Sequence, residues 1–313
     1  MMRRLRQRGV ILLSALVMVA LAAVIAAALF FDTGMAARRT AGSFGMEEAL
    51  LLSEGAEALA AYVLADDKNQ TDTPQDSWAQ PSEPFEVTPE IAMQGQLYDL
   101  QGRFNLNSLV QASGKRDENT LKVFLRLLEL LQMERTWADF VVDLIDPDVL
   151  PEQQGGEDSL YTSQLPPHRT GNLPITSVTE LMQIPGFTRE LYLKLEPHVT
   201  ALPPSVRTIN VCMADGIVLD ALFAANPSTQ GHTEYSLLPQ QEFDDRRATE
   251  CYPRRTALAG NSQTMLALTA ERTNWFRLQT VVRVGTAQFD LYSLMYRSGG
   301  GQARAVMRSF STE

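Results

Sequence analysis

The sequence predicts an α+β protein in which a long N-terminal helix packs on an antiparallel sheet and a large all-α domain is inserted in that sheet. Three observations predict this class. An apolar, Ala-rich stretch of helix formers runs from residue 10 to about residue 65. Residues 117–203 carry apolar side chains at helical spacing. The segments on either side of them alternate with period two, which is typical of strands.

Composition excludes several classes of function. The 313 residues are 45% hydrophobic and 20% charged, which are ordinary globular values. The net charge of -10 speaks against a nucleic-acid partner, because an acidic chain repels phosphate. Two cysteines cannot form a Cys-rich zinc module or a disulfide-dense scaffold, and the three dispersed histidines argue against a His-based metal enzyme. The sequence has no G-x-S-x-G, no P-loop and no Cys–His arrangement, and so indicates a protein that is not an enzyme.

The N-terminus has the pattern of a basic leader followed by a membrane span. The basic residues of the leader, residues 1–9, are Arg3, Arg4, Arg6 and Arg8. Residues 10–31 are uncharged and apolar, and as a helix of about 33 Å they would cross a hydrocarbon core of about 30 Å. Because the arginines precede this run, we expect a single pass through the inner membrane, with the N-terminus cytoplasmic and the globular part periplasmic.

Three interpretations of this region compete. A cleaved secretory signal would normally have a shorter apolar run with a small-residue cleavage site, and a plain membrane anchor would remain uncut. The third interpretation rests on the stretch RQRGVILLSALVMVALAAVIAAALF, which resembles a class III, type IV prepilin-like leader. The resemblance implies that a prepilin peptidase cuts after Gly9, and that the mature chain begins at a methylated Val10.

Position 14 departs from most type IV pilins and pseudopilins, which carry a Glu five residues into the mature chain. Counted from Val10, that position is Ser14. A Glu inside an apolar helix is costly unless it finds a positive partner, which in a pilus would be the N-terminal amine of the neighbouring subunit. Ser14 therefore suggests a subunit at the filament end, although a small residue is also tolerated in any membrane helix.

Residues 32–116 are predicted to be the first part of the sheet-bearing domain. The helix beyond Asp32 is amphipathic and should lie against the sheet. Residues 69–84 are polar and contain three prolines, and are predicted to be a loop. The remaining predicted elements here are strands at Phe85–Val87 and Gly95–Asp99 and a tight turn at Gln101-Gly102.

Residues 117–203 are predicted to be the inserted α-domain. Apolar residues between Leu121 and Leu131 recur at helical spacing, and a second helix spans residues 137–145. A capping box at Ser177 begins the stretch SVTELMQIPGFTRELYLKL, which resembles a helix-hairpin-helix or SAM-like unit. A structural or protein-contact use is favoured over DNA binding, because no basic patch accompanies this unit.

Residues 204–313 are predicted to be the second part of the sheet-bearing domain. Residues 226–262 are polar and are predicted to be rich in loops. The predicted elements are a strand at Thr208–Cys212, a helix at Ile217–Ala225, a hairpin of Trp275–Val284 and Gln288–Arg297 around Gly285, and a strand at Arg304–Phe310.

From the leader to about residue 225, the chain resembles the K-class minor pseudopilins of the type II secretion system. The segments that carry the resemblance, in order, are LYDLQGRFNLNSL, DFVVDLIDPD, GGEDSLY, LPPHRTGN, ITSVTELMQIPGF and TINV. The chain departs from the family at Leu144, where the family usually has Trp, and at Cys212-Met213, where it usually has Asn-Thr. Neither position lies at a chemical centre.

The resemblance implies a pilin-like fold with a large α-domain inserted in the sheet. It also implies a tip complex with the I- and J-class minor pseudopilins, which initiates and caps a filament of the major pseudopilin and supports export of folded proteins across the outer membrane. Two alternatives come from other classes. A membrane-anchored periplasmic enzyme would need a converging catalytic set, and none is visible. A DNA-uptake-type pseudopilin is opposed by the acidic balance.

The resemblance also implies structural calcium in the pilin-like domain. Calcium takes carboxylate and carbonyl oxygens from loops, so we expect its ligands within residues 242–250. The predicted ligands are Glu242, Asp244, Asp245 and Glu250, with a solvated acidic loop as the alternative. For Asp143, Asp146 and Asp148 we favour helix termination and capping. Glu157-Asp158 either turns a loop or meets a partner.

The two cysteines, Cys212 and Cys251, both follow the membrane span. An oxidising periplasm favours a disulfide between them, with two buried thiols as the alternative. Closing this loop would contribute about 4 kcal/mol in the chain-entropy description. The bond would tie the acidic loop to the first returning strand.

Overall fold

The structure, a computed structural model, describes residues 7–224, 234–248, 250–260 and 262–310. The α-helices are α1 (Gln7–Asp66), α2 (Glu118–Leu130), α3 (Trp137–Ile145), α4 (Asp158–Tyr161), α5 (Arg189–Leu195), α6 (Gly216–Ala224), α7 (Gln240–Arg247), α8 (Arg255–Ala259) and α9 (Gln263–Leu268). Short 3-10 helices span Leu106–Leu109, Val178–Gln183, Glu196–His198 and Tyr235–Leu237. The strands are β1 (Phe85–Thr88), β2 (Ile91–Asp99), β3 (Phe104–Asn105), β4 (Val199–Thr200), β5 (Ile209–Asn210), β6 (Thr269–Ala270), β7 (Trp275–Val284), β8 (Ala287–Arg297) and β9 (Ala303–Ser309).

The main sheet is antiparallel, with the strand order β1-β2-β7-β8-β9. Alternate side chains of β7, including Phe276, Leu278 and Val282, are buried, as the period-two pattern requires. Val284 pairs with Ala287 across a two-residue turn. Gly285 adopts a φ of 59° in this turn, a value that glycine reaches without a steric penalty. The predicted hairpin is therefore confirmed.

Helix α1 is continuous, but its two halves have different surroundings. Residues 11–44 are exposed, whereas one face from Gly45 onward packs on the main sheet. In the part of this contact that is closer to the N-terminus, Ala49 packs with Ile91, Val282 and Leu291. Farther along, Ala56, Ala60 and Leu64 pack with Leu97, Phe276, Leu278 and Met295. Small alanine side chains let the helix approach the sheet closely. The predicted packing of the helix on the sheet is confirmed from Gly45 onward, whereas residues 33–44, which were also expected to lie against the sheet, are exposed.

One hydrophobic core unites the helical domain from Phe104 to Leu268. The predicted helices near residues 117, 137, 188 and 217 are present as α2, α3, α5 and α6. Local capping explains their starts. The Asp117 carboxylate accepts hydrogen bonds from two backbone N–H groups at the start of α2. The capping box of Ser177 and Glu180 is present, although the helix that it begins is a 3-10 helix.

The extent of this core corrects the predicted boundary at residue 203. The described apolar residues between positions 209 and 268 pack mainly into the helical core, and this part of the chain adds no strand to the main sheet. The predicted strand at 208–212 is only the short β5, which pairs with β6 in a separate parallel sheet. Within the predicted loop of residues 226–262, the described part contains α7, α8 and a 3-10 turn. Local alternation identifies strands but not their partners, and a polar segment can still be an exposed helix.

The helical domain lies beyond the end of the main sheet that is farther from the N-terminal half of α1. The chain leaves the main sheet after Asp99 and returns at Trp275. These two points are adjacent, because Asp99 pairs with Phe276. This end of the sheet lies beside Leu64, about 50 Å along the helix from Phe31 at about 1.5 Å per residue. The turn predicted at Gln101-Gly102 therefore does not fold β2 back on itself, because β3 pairs with β4 instead.

Candidate functional sites

The exposed half of α1 is the first candidate site. Within the described residues α1 is long and apolar enough to cross a membrane. Ser14 lies on this half, and its hydroxyl donates to the carbonyl oxygen of Ile11 at 2.9 Å. The hydroxyl is thus satisfied inside the helix without a partner subunit. Gly9 and Val10 belong to the helical backbone of α1. Residues 1–6 of the predicted leader lie outside the described residues.

The four predicted calcium ligands do not meet at one point. Glu242, Asp244 and Asp245 lie on helix α7, whose turn of about 100° per residue places Asp244 on the face opposite Glu242. The Glu242 carboxylate pairs with Arg246, and Glu250 lies 3.1 Å from the Arg254 guanidinium. Two of the four carboxylates therefore already have a positive partner. A calcium site on this set remains a prediction, and its geometry does not favour it.

A different set of carboxylates converges in the helical domain. One oxygen from each of Asp146, Asp148 and Glu157 lies within 4.8 Å of the others. We call these three residues the α3–α4 cluster. Asp146 directly follows α3. Glu157 directly precedes α4, and its side chain accepts no capping hydrogen bond from that helix. The cluster therefore joins two helix ends across the loop between them.

Several oxygens at the α3–α4 cluster are buried without a hydrogen-bond partner. They include Asp146 Oδ1 and Glu157 Oε1, and both residues are only 5% exposed. Tyr161, one turn after Glu157, is fully buried and its hydroxyl also has no partner. Asn172 donates to the Asp148 carbonyl oxygen at 2.6 Å, while its own Oδ1 is unpartnered. Buried polar atoms without partners are rare in folded proteins.

The electrostatics of the α3–α4 cluster are those of crowded negative charge. Burial, together with the charges of Asp148 and Asp143, raises the pKa of Asp146 to about 7. Burial likewise raises the pKa of Asp143 to about 6, although Asp143 accepts a backbone hydrogen bond from Glu152 at 2.9 Å. Burial and the nearby Asp143 and Glu157 raise the pKa of Tyr161 to about 12.

A second acidic cluster lies where α1 ends. Oxygens of Asp67, Asp72 and Asp76 also lie within 4.8 Å of one another, and we call these residues the α1-end cluster. Arg297, at the end of β8, is buried here. Its Nη1 lies 2.8 Å from Asp67 Oδ2, and its Nη2 pairs with Asp72. The guanidinium pairs with two of the three carboxylates and ties the end of α1 to the main sheet.

The predicted disulfide between Cys212 and Cys251 is present, and both residues are buried. Cys212 follows β5, and Cys251 lies between α7 and α8. The bond therefore ties the segment carrying the predicted calcium ligands to the returning chain. Because Cys212 and Cys251 both belong to the core of the helical domain, the bond lies inside that domain rather than in the main sheet.

Sequence reasoning missed the α3–α4 cluster because it assigned its members to two separate tasks. The sequence predicts that Asp146 and Asp148 terminate and cap a helix. It predicts that Glu157 either turns a loop or meets a partner protein. The available signal was the Gly155-Gly156 pair before Glu157. A Cβ on Gly155 would collide with the Asp143 carboxylate, so the loop approaches α3 closely only because that residue is glycine.

Comparison with known proteins gives a consistent result. A family model described as type II secretion system (T2SS), protein K, matches residues 102–204. The type II secretion system protein K of Pectobacterium carotovorum subsp. carotovorum is 32% identical, over 98% of this chain and 97% of that protein. The protein of the same name from Pseudomonas aeruginosa is 30% identical, over 96% of this chain and 92% of that protein.

A solved structure shares the fold. A chain in the crystal structure of the GspK-GspI-GspJ complex from enterotoxigenic Escherichia coli matches with a TM-score of 0.68. The match covers 88% of the present chain and 100% of that chain, at 22% sequence identity. The long helix, the antiparallel sheet and the helical domain thus form a known arrangement.

Proposed function

The chain belongs to the type II secretion system protein K family and is a minor pseudopilin of that system, and we propose that it forms the tip of the pseudopilus. In this role it initiates and caps the filament, which supports export of folded proteins across the outer membrane. The chain acts by binding and geometry and performs no chemical step.

The position of the helical domain supports this proposal most directly. The domain begins and ends at the end of the main sheet that is farther from the membrane-spanning half of α1. In a filament whose subunits are stacked along their N-terminal helices, that end of the sheet faces away from the membrane. A domain with a core from Phe104 to Leu268 would cover the surface onto which another subunit would otherwise stack.

Ser14 adds a second line of support. A subunit inside the filament gains from a Glu that meets the N-terminal amine of its neighbour. A subunit at the tip has no neighbour on that side, and its hydroxyl at position 14 is satisfied by Ile11 of the same helix. We therefore propose that Ser14 lets the chain occupy the end without an unpaired charge in the membrane.

The partners follow from the same position. We propose the I- and J-class minor pseudopilins as direct neighbours, since the structurally similar chain lies in a complex of three such proteins. Their helices would pack on the exposed residues 11–44 of α1, and the major pseudopilin would follow below them. A nucleic-acid partner is opposed by the net charge of -10.

Maturation is proposed to follow the prepilin route. The prepilin peptidase would cut after Gly9 on the cytoplasmic face of the inner membrane, and Val10 would become the methylated N-terminus. The arginines of the leader keep that end in the cytoplasm, so the globular part lies in the periplasm.

The test measures the intact mass and the N-terminal residue of the chain made with and without a prepilin peptidase. We expect a cut after Gly9 and a methylated Val10 only when the peptidase is present. Co-purification with the I- and J-class proteins should then require this cut. A cut at the far end of the apolar run would exclude the pseudopilin mechanism for this chain.

A matched pair of variants tests the cap. We expect Ser14→Glu to leave processing intact but to weaken the preference of the chain for the filament end, because the new carboxylate seeks a neighbouring amine. Ser14→Ala is the control, and should behave like the original chain. Filaments isolated from cells would be labelled for this chain and examined for its position along their length. Labelling distributed along the filament in the original chain would contradict the tip assignment.

A further inference from the structure

We infer that a buried hydrogen-bonded joint, formed by Gln101, Asn210 and Thr273, fixes the direction of the helical domain relative to α1 and the main sheet before any partner binds. Gln101 and Thr273 lie on the two segments that connect the main sheet to the helical domain, and Asn210 lies in β5. The inference concerns the chain by itself and goes beyond the proposed tip position.

Apolar packing contributes little to the contact between the two parts. The core of the helical domain and the two cores beneath α1 share no residue. Among the described residues, Met213 is the side chain of the helical domain that packs against the sheet core. Clefts open on both sides of this boundary, one bordered by Thr176 and Met307 and the other by Met213 and Tyr98. Domains that meet through a small apolar contact ordinarily move relative to each other.

Thr273 joins four parts of the molecule through its own polar groups. Its backbone N–H donates to Asp72 Oδ2 at 2.6 Å, and its carbonyl oxygen accepts from Arg297 Nη2 at 2.6 Å. Its hydroxyl donates to the Asp99 carboxylate and accepts from Asn210 Nδ2 at 2.9 Å. These partners belong to the α1-end cluster, to β8, to β2 and to β5 of the helical domain. Each polar group of this fully buried residue is therefore bonded to a different part of the fold.

Gln101 makes a second link between the same parts. Its side-chain Oε1 accepts from the backbone N–H groups of Asn274 and Trp275, at 2.5 and 3.2 Å. Its Nε2 donates to the Thr208 hydroxyl at 3.3 Å, and its carbonyl oxygen accepts from the backbone N–H of Asn210 at 2.7 Å. Gln101 is only 3% exposed, so water does not compete for these bonds.

The backbones of the two parts also touch directly beside the joint. A Cβ on Gly102 would lie 2.8 Å from the carbonyl carbon of Met213 and 3.0 Å from the backbone nitrogen of Ala214. Only glycine permits this approach. Because no side chain lies between the two backbones, the contact has little freedom to rotate.

A joint of this kind makes the direction of the helical domain a property of the chain. Buried polar networks in which every member is bonded rigidify a structure and specify one arrangement. Through Asp72 and Arg297 the joint is continuous with the end of α1 and with β8. We therefore expect α1, the main sheet and the helical domain to move as one body, with their relative direction set before other subunits join.

The experiment measures distances by double electron–electron resonance in the full chain in detergent. Spin labels on unnatural amino acids leave the disulfide between Cys212 and Cys251 intact. One pair of labels spans the joint and replaces the exposed residues Ala58 on α1 and Lys122 on α2. A second pair, which replaces Lys122 and the exposed Lys194 on α5, lies within the helical domain. In the original chain we expect one narrow distance distribution for each pair.

Two variants remove side-chain hydrogen bonds of the joint while keeping side chains of similar size. In Gln101→Met and in Thr273→Val, the distribution across the joint should widen by about twofold or more, since few other contacts then hold the domains. The distribution within the helical domain should stay narrow. Thr273→Ser keeps the hydroxyl and should behave like the original chain. The matched control is Gln288→Met, at the exposed turn end of β8, which should also behave like the original chain.

A broad or double distribution across the joint in the original chain would overturn the inference. The same holds if both variants give a distribution as narrow as that of the control. If the pair within the helical domain widens as well, the network stabilises that domain rather than its direction, and the inference fails. These measurements need no partner and no filament, so the inference and the proposed tip position can fail separately.

Discussion

The two acidic clusters solve the same electrostatic problem in different ways. Each brings three carboxylates within 4.8 Å of one another, and each is partly buried. The α1-end cluster receives the guanidinium of Arg297, which is 230 positions from Asp67 along the chain. The α3–α4 cluster has no such ion pair in the described residues. The fold thus places a buried countercharge at the α1-end cluster and, among the described residues, none at the α3–α4 cluster.

The difference corresponds to the positions of the clusters. The α1-end cluster lies where the helix meets the main sheet, so a permanent ion pair keeps this junction fixed. Arg297 also donates to the Thr273 carbonyl oxygen at 2.6 Å, which attaches the junction to the start of β7. The α3–α4 cluster instead lies at a loop of the helical domain, where no ion pair among the described residues fixes its three carboxylates.

The largest expected effect comes from removing the permanent countercharge. Arg297→Met leaves Asp67 and Asp72 buried without their cation, so the free energy of unfolding should fall by about 3–5 kcal/mol. Urea unfolding of the full chain in detergent, followed by tryptophan fluorescence, measures this loss. The control is Arg304→Met, an exposed arginine of the neighbouring strand β9. A loss below about 1 kcal/mol would show that the pair is not essential to the junction.

The same variant sharpens the comparison. If a missing cation is the main difference between the two clusters, millimolar Ca²⁺ should recover part of the stability that Arg297→Met loses. The ion would then replace the guanidinium between Asp67 and Asp72. Failure to recover any stability would show that the α1-end cluster is shaped for a planar guanidinium rather than for a spherical ion.

A smaller effect is expected at Asp99, a buried carboxylate that relies on hydrogen bonds from Thr273 and Gly102. Burial raises its pKa from 3.8 to about 6, more than these hydrogen bonds lower it. A raised pKa means that the folded state binds the proton more tightly. This contribution to stability is therefore present at low pH and is lost as the pH rises through about 6.

The side chain of Asn in Asp99→Asn does not titrate, so this variant should not lose stability as the pH rises through about 6. The free energy of unfolding of the original chain, relative to the variant, should fall by about 2 kcal/mol between about pH 4 and pH 7. Chemical unfolding of both proteins at the two pH values gives the difference, with the exposed Asp245→Asn as control. Parallel pH profiles for the original chain and Asp99→Asn would contradict the assignment.

The smallest effect is expected at a half-exposed pair. Arg308 of β9 donates to both oxygens of Glu57 on α1, at 2.8 and 2.6 Å. Its side chain is 47% exposed, so Arg308→Gln should lower the free energy of unfolding by only about 1 kcal/mol. Burial raises the pKa of Glu57, but the hydrogen bonds from Arg308 and Ser293 lower it more, and the net pKa lies below 4.5.

The sign of the pH dependence separates this pair from Asp99. Because the folded pKa of Glu57 is lowered, its contribution is present above about pH 4.5 and disappears as the pH falls below that value. The difference between Arg308→Gln and the original chain should therefore shrink in acid. A difference that stays constant down to about pH 3 would indicate lost packing of the arginine stem rather than a lost ion pair.

Periodicity alone predicts a large share of the fold. The continuous helix through residues 10–65, the helices at 117–131 and 137–145 and the hairpin around Gly285 each follow from apolar spacing or turn chemistry within a short window. Such features depend on neighbours along the chain. The capping box at Ser177 is of the same kind, because it requires only residues three positions apart.

Tertiary structure decided the rest. The helical domain extends to Leu268 rather than residue 203 because its core is completed by residues far apart in sequence. The same holds for the charges: Arg297 meets Asp67 across 230 positions, and Glu157 meets Asp146 only because a glycine-containing loop folds back on α3. Local sequence periodicity does not predict such long-range contacts. They arise when packing closes the loops. Composition therefore predicts that acidic groups are present, and the tertiary structure decides which of them lie together.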